Sequence, residues 1–164
     1  SRDVEFDVVN ENLELGIVTL PLQPQWRSEL DVVPLVRDQI VPVAAEGHPI
    51  FEQKERTLSS LQGLGLIGFE AGSAIRQLID SALLQAGVQM NVLMELRSIP
   101  AILQMVSSTR SLGFVSRLSL RQSESHIQPV AVQGLNISRE LAVISKRGRP
   151  LSASAAAFAN TLRT

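Results

Sequence analysis

Apolar and polar positions alternate at the start of the chain, with Val4, Phe6 and Val8 set against Asp3, Glu5 and Asp7. That period of two predicts a half-buried strand. Asn10-Glu11-Asn12 is turn chemistry, and a second strand is expected over residues 13–20, ended by Pro21 and Pro24. Residues 21–28 read as a loop. Residues 30–36 and 39–44 are two further extended stretches, each holding a proline, which suits edge strands or crossovers better than a sheet centre. Glu46-Gly47-His48-Pro49 is a turn, and Thr57 caps a short helix.

From residue 64 the pattern changes. An apolar run over 64–69 reads as a buried strand, and 73–86 as an amphipathic helix. That helix sets Ile75, Leu78, Ile79, Ala82 and Leu83 on one face and stops at Gly87. A second buried-looking strand follows over 90–96, with Met90 and Met94 as core or lining. Next come a helix over 99–106 with Pro100 in its first turn and a strand over 111–116. Residues 117–125 are polar and loop-like. Strands are expected over 127–132 and 139–145, then a basic turn at Lys146-Arg147-Gly148-Arg149-Pro150, then a last helix opened by Ser152 or Ser154.

Strands alternating with helices across short loops require a parallel sheet with helices on its faces. The flanking strands belong to a second body. The expected fold is therefore α/β and two-lobed, with residues 1–24 and 124–164 in one lobe, 25–123 in the other and a hinged cleft between them. Small ligands bind in such clefts. Two junctions stand out, one at Gly72-Ser73 and one at Arg97-Ser98. In each a strand stops and a serine opens a helix. On one parallel sheet both helix N-termini lie at the same end, where free backbone N–H groups receive a small anion.

Composition narrows the chemistry. The chain has 164 residues, 45% of them apolar, and a formal net charge of -1, so it carries no basic footprint for nucleic acid. It has no cysteine, which removes disulfides, thiolate metal sites and a cysteine nucleophile. No apolar run approaches a membrane span. The charged N-terminus lacks a signal core and reads as a cut edge. His48 and His126 read as turn or surface residues, with no partners for a triad or a metal. No acid, base and nucleophile set is evident, so no enzyme, cofactor or metal is expected.

The candidate ligand contacts are Thr19, Gly72, Ser73, Ile75, Arg97, Ser98 and Ile99. Plain N-capping is the rival reading of each serine. Arg97 directly precedes the Ser98 cap and is the better cation. Arg76, on the first helical turn, reads more simply as solvated, as does the basic turn at 146–149.

The order of motifs resembles the effector-binding domain of LysR-type transcriptional regulators. The resemblance runs through Leu13-Glu14-Leu15-Gly16-Ile17-Val18, Gly47-His48-Pro49-Ile50, Leu58-Ser59-Ser60-Leu61 and Leu66-Ile67-Gly68-Phe69. It continues through Gly72-Ser73, Glu95-Leu96-Arg97-Ser98 and Leu112-Gly113-Phe114-Val115, and closes with residues 139–146 and the helix that holds Phe158. Each motif is weak alone; their order and spacing carry the case.

The resemblance implies a periplasmic-binding-protein-like fold of type II. It also implies a cytoplasmic regulator, a homodimer or homotetramer with no membrane contact, that binds a small anionic effector. DNA would be reached only through an N-terminal helix-turn-helix that this chain lacks. Residues 4–8 then resemble the second strand of the family domain. An opening strand and helix, and a helix ahead of Leu13, would be missing and the first lobe incomplete. The rival architectures are an extracytoplasmic solute-binding protein and an enzyme on the same scaffold.

Overall fold

The computed structural model describes residues 2–121 and 126–162. Its contacts divide the chain into two compact units, Ser1–Asp38 with Arg139–Thr164, and Gln39–Ser138. Of the lobe boundaries expected from sequence, 24/25 falls within the 3-10 turn Pro24–Trp26 and 123/124 lies outside the described residues. The contacts instead part inside two long strands, β2 (Leu30–Ala45) and β7 (Ile137–Lys146), each of which belongs partly to both units.

The first unit opens on a helix, α1 (Arg2–Val9), where alternation predicted a strand. Val4 and Val8 are compatible with both periods, being two strand repeats or one helical turn apart. The buried set decides: Glu5, Val8 and Val9 are buried while Phe6 is 51% exposed, so the inward face follows the helical period. The helix packs on β1 (Leu15–Thr19) through Gly16, where a Cβ would collide with the Val4 side chain and approach Val8 Cγ2 to 3.2 Å. The segment therefore takes the place that the resemblance gives to the helix ahead of Leu13, not that of a strand. The Glu5 carboxylate accepts the Gln23 N–H at 3.0 Å.

β1 is antiparallel to β7, from Leu15 opposite Ser145 to Thr19 opposite Leu141. Val8, Val9, Val18, Leu22, Leu30 and Ile144 form this unit's core. The basic turn after β7 is paired, not merely solvated. Lys146 and Arg149 both meet Glu11, and Arg147 meets Asp31 at 3.1 Å. Ser152 opens α4 (Ala153–Thr161), accepting the Ala155 N–H, while Glu14 accepts the Ser152 N–H and hydroxyl.

β2 is one continuous strand where two were expected. Pro42 is tolerated because only its donor is lost: it lies opposite Phe114, and its carbonyl still accepts the Val130 N–H at 2.8 Å.

In the second unit, β3 (Gly65–Phe69) lies between β5 (Leu112–Ser116) and β4 (Asn91–Leu96) and is parallel to both. β2 runs antiparallel to β5, and β6 (Ile127–Pro129) antiparallel to β2. The parallel sheet and its two helices, α2 (Ala74–Gln85) and α3 (Ile99–Ser108), follow the expected order. α3 buries Ile102, Leu103 and Val106, and Gly113 admits it closely, since a Cβ there would sit 3.0 Å from Ile102 and Val106.

One expectation is corrected. β4 is not buried but an exposed edge, with Leu93 56% and Met94 39% exposed. A short apolar run does not distinguish a central strand from an edge strand, because strand order is set by distant chain segments.

Candidate functional site

Both junctions end at the same edge of the parallel sheet. Phe69 and Leu96 are register partners at the ends of β3 and β4, and the Glu70 N–H donates to the Leu96 carbonyl at 3.0 Å. In the first junction Gly72 turns the chain at φ +85°, a conformation that glycine adopts without strain. Ser73 then caps α2. Its hydroxyl oxygen accepts the Arg76 N–H at 3.3 Å and its carbonyl accepts the Gln77 N–H at 3.0 Å. The N–H groups of Ala74 and Ile75 have no acceptor within an α-helix.

The second junction repeats this chemistry with one donor fewer. The Ser98 hydroxyl oxygen accepts the Ala101 N–H at 3.4 Å, and its carbonyl accepts the Ile102 N–H at 3.1 Å. Pro100 has no N–H, so Ile99 is the remaining first-turn donor. Ile75 and Ile99 are half-buried and pack against the unit's core.

The cations differ from the sequence expectation. Arg76 is not solvated: its side chain is 12% exposed. It donates to the Phe69 carbonyl at 2.7 Å, to Glu95 Oε1 at 2.9 Å and to both Asp80 oxygens at 2.9 Å. Burial pulls its pKa down, but hydrogen bonds to Asp80 and Glu95 outweigh that and hold it above its ordinary value. Arg76 holds Glu95 below the ordinary carboxylate value, helped by the Ala71 N–H. Glu95 thereby ties the 70–73 loop to β4. Arg97 is 83% exposed and donates to Glu70 at 2.8 Å; that bond raises its pKa.

Both guanidinium groups are thus engaged by carboxylates. The receptor chemistry left at this edge is backbone N–H groups, two serine hydroxyls and the exposed remainder of Arg97, which favour a small anion.

Of the candidate residues, Gly72, Ser73, Ile75, Arg97, Ser98 and Ile99 meet at this edge of the second unit. Thr19 ends β1 in the first unit, half-buried opposite Leu141. Sequence reasoning missed Glu95, Asp80 and Gly68. An Arg76–Asp80 pair was visible in the i, i+4 spacing. Glu95 and Gly68 were not, because they reach Arg76 only through the sheet; a Cβ at Gly68 would lie 3.3 Å from Arg76 Nη1.

His48 is buried and its Nδ1 accepts the Ile50 N–H, capping the 3-10 turn Pro49–Glu52. Among the described residues no group of three or more histidines and carboxylates is placed for a metal, and no helix is long and apolar enough to cross a membrane.

Comparison with known proteins bears on this geometry. The probable RuBisCO transcriptional regulator of Cyanophora paradoxa is 27% identical over 169 residues, covering 100% of this chain and 52% of that protein. Its Synechocystis counterpart is 28% identical, covering 96% of this chain and 47% of that protein. The chain spans about half the length of the curated relatives it matches.

The regulatory domain of Synechocystis CcmR, solved in complex with 2-PG, superposes with a TM-score of 0.85 at 22% identity, covering 99% of this chain and 77% of that one. The effector binding domain of QuiR, solved with shikimate, gives 0.80 at 19% identity, covering 99% and 76%. These likenesses establish the type II periplasmic-binding-protein-like fold. The family model described as LysR substrate binding domain matches residues 2–164. With the motif order, the fold and that match in agreement from one end to the other, the chain belongs to the LysR substrate binding domain family.

Proposed function

We propose that this domain senses a small anionic effector for a LysR-type transcriptional regulator. The effector is held at the two serine-capped junctions of the second unit. The observation that carries the reading is the placement of two helix N-termini, with their hydroxyls, at adjacent ends of parallel strands. Gly72, Ser73 and Ser98 supply backbone and hydroxyl contacts, Ile75 and Ile99 the apolar side, and Arg97 an exposed charge beside them.

The family membership favours a sensing role over a catalytic one and over a transporter's solute receptor. Effector binding acts on transcription only through its differential affinity for two states of the regulator. DNA contact lies in the part of the regulator that this chain does not span, and the whole protein works in the cytoplasm as a homodimer or homotetramer. An exposed apolar surface shared by α2 and β4, with Leu84 81% and Val92 38% exposed, supports self-association.

2-PG and shikimate are the first probes, being named with relatives of the same fold. Isothermal titration is expected to find binding of at least one, weakened at least tenfold in Ser73→Ala and Ser98→Ala with folding retained. Unchanged affinity in both variants would remove the site assignment.

A further inference from the structure

A pocket of about 380 Å3 lies wholly within the second unit and shares no residue with the two junctions. That volume suits a small ligand. β2 supplies residues 39–42 to one wall, and the segment after β6 supplies residues 130–133, 135 and 136 to another, with Ile137 at the start of β7. Lys54, Arg56 and Arg117 line it, together with the amides of Gln39, Gln133 and Asn136. No aspartate or glutamate does.

The protein neutralises several of its cations itself. Arg76, Arg97, Arg139, Lys146, Arg147 and Arg149 each meet a carboxylate. Among the described residues, Lys54, Arg56 and Arg117 meet none. Three like charges around one pocket repel one another, and a bound anion relieves that repulsion.

Arg56 is also preorganised. Its Nε donates to the Ile50 carbonyl at 3.1 Å and its guanidinium lies 5.7 Å from the Phe51 ring centroid. Its own carbonyl accepts the Gln133 N–H at 2.7 Å, which fixes the far wall to it. A guanidinium held this way loses little freedom when it meets an oxyanion. Lys54 and Arg117 are exposed and reach the same space from other segments.

We propose that this pocket is a second anion site, separate from the effector junctions. It takes a small anion of two or more charges, a phosphate or a polycarboxylate, whose oxygens meet Arg56, Lys54 and Arg117. Val130 and Leu135 line the rest and accommodate a short carbon skeleton. Such a ligand would give the domain a second chemical input.

The test is amide-resolved NMR titration of the chain with inorganic phosphate and, separately, citrate, each against potassium chloride at matched ionic strength. Saturable shifts are expected at Gln133 and Asn136 with at least one probe, weakened about tenfold or more in Lys54→Met/Arg117→Met. Both replaced residues are exposed, so the variant keeps its fold, which an unchanged spectrum elsewhere checks. Ser73→Ala/Ser98→Ala should leave the Gln133 and Asn136 response intact. Equal shifts with chloride, no saturable shift with either probe, or undiminished affinity in Lys54→Met/Arg117→Met would overturn the proposal. None of these outcomes bears on the junctions, whose own reporters are the amides of residues 73–76 and 98–101.

Discussion

The two junctions have the same cap chemistry, and both helices bury an apolar face, Ile79 and Leu83 on α2 and Ile102, Leu103 and Val106 on α3, but the first adds a part-buried charge network. At the first, Arg76 ties the end of β3, the start of α2 and Glu95 on β4 together through charge-assisted hydrogen bonds. At the second, α3 is fixed from below by Ile102, Leu103 and Val106, and its visible ion pair, Arg97–Glu70, is largely exposed. One serine is therefore positioned by ions as well as by apolar burial, the other by apolar burial and a largely exposed pair. A cation beside a candidate anion site need not be its ligand. Arg76 is committed to structure, and the anion is left to backbone and hydroxyl dipoles with Arg97 beside them.

That contrast can be broken first at α3. Ile102→Ala removes a fully buried side chain, and urea denaturation should show a loss of about 2–5 kcal/mol. Arg76→Met comes next. It strips the Phe69 carbonyl, Asp80 and Glu95 of their shared donor and should cost about 1–3 kcal/mol, while leaving the Ala101 and Ile102 amide signals in place. A smaller loss for Ile102→Ala than for Arg76→Met would show that the ion network outweighs a fully buried side chain.

Acid titration sharpens the same point. Glu95 lies below its ordinary value of 4.5 in the folded chain. Its stabilisation is complete above that value and is lost as pH falls through the depressed one. Glu95→Gln should therefore flatten the decline of thermal stability below about pH 4.5, and an unchanged acid limb would show that the Arg76–Glu95 bond is not formed in solution. Ser73→Ala and Ser98→Ala should each cost about 0.5–2 kcal/mol as lost caps. Arg97→Ala, which breaks an exposed pair, should leave the unfolding midpoint unchanged within error.

The parts of the molecule that follow local rules were legible in the chain. Ser73 and Ser98 declare their helices by cap chemistry with Gly72 and Pro100 beside them, and the β3–α2–β4–α3–β5 order follows from apolar runs alternating with a helical stripe. α1 was not legible, because Val4 and Val8 satisfy both periods and only the packing on Gly16 chooses between them. β4's exposure was hidden because its place at the sheet edge depends on which strands pair, not on its own residues. Arg76 was misjudged for the same reason. Its Asp80 partner is one helical turn away, but Glu95 joins it only after β4 pairs with β3. The candidate site was thus legible as far as its caps and no further.

The most direct test of the central claim is an amide-resolved NMR titration of the chain with sulfate, 2-PG and shikimate. At least one anion should shift the amides of Ser73, Ala74, Ile75, Ser98 and Ile99 saturably and together, with attenuated shifts in Ser73→Ala and Ser98→Ala. Saturable binding that leaves both sets of amides unmoved would contradict the account.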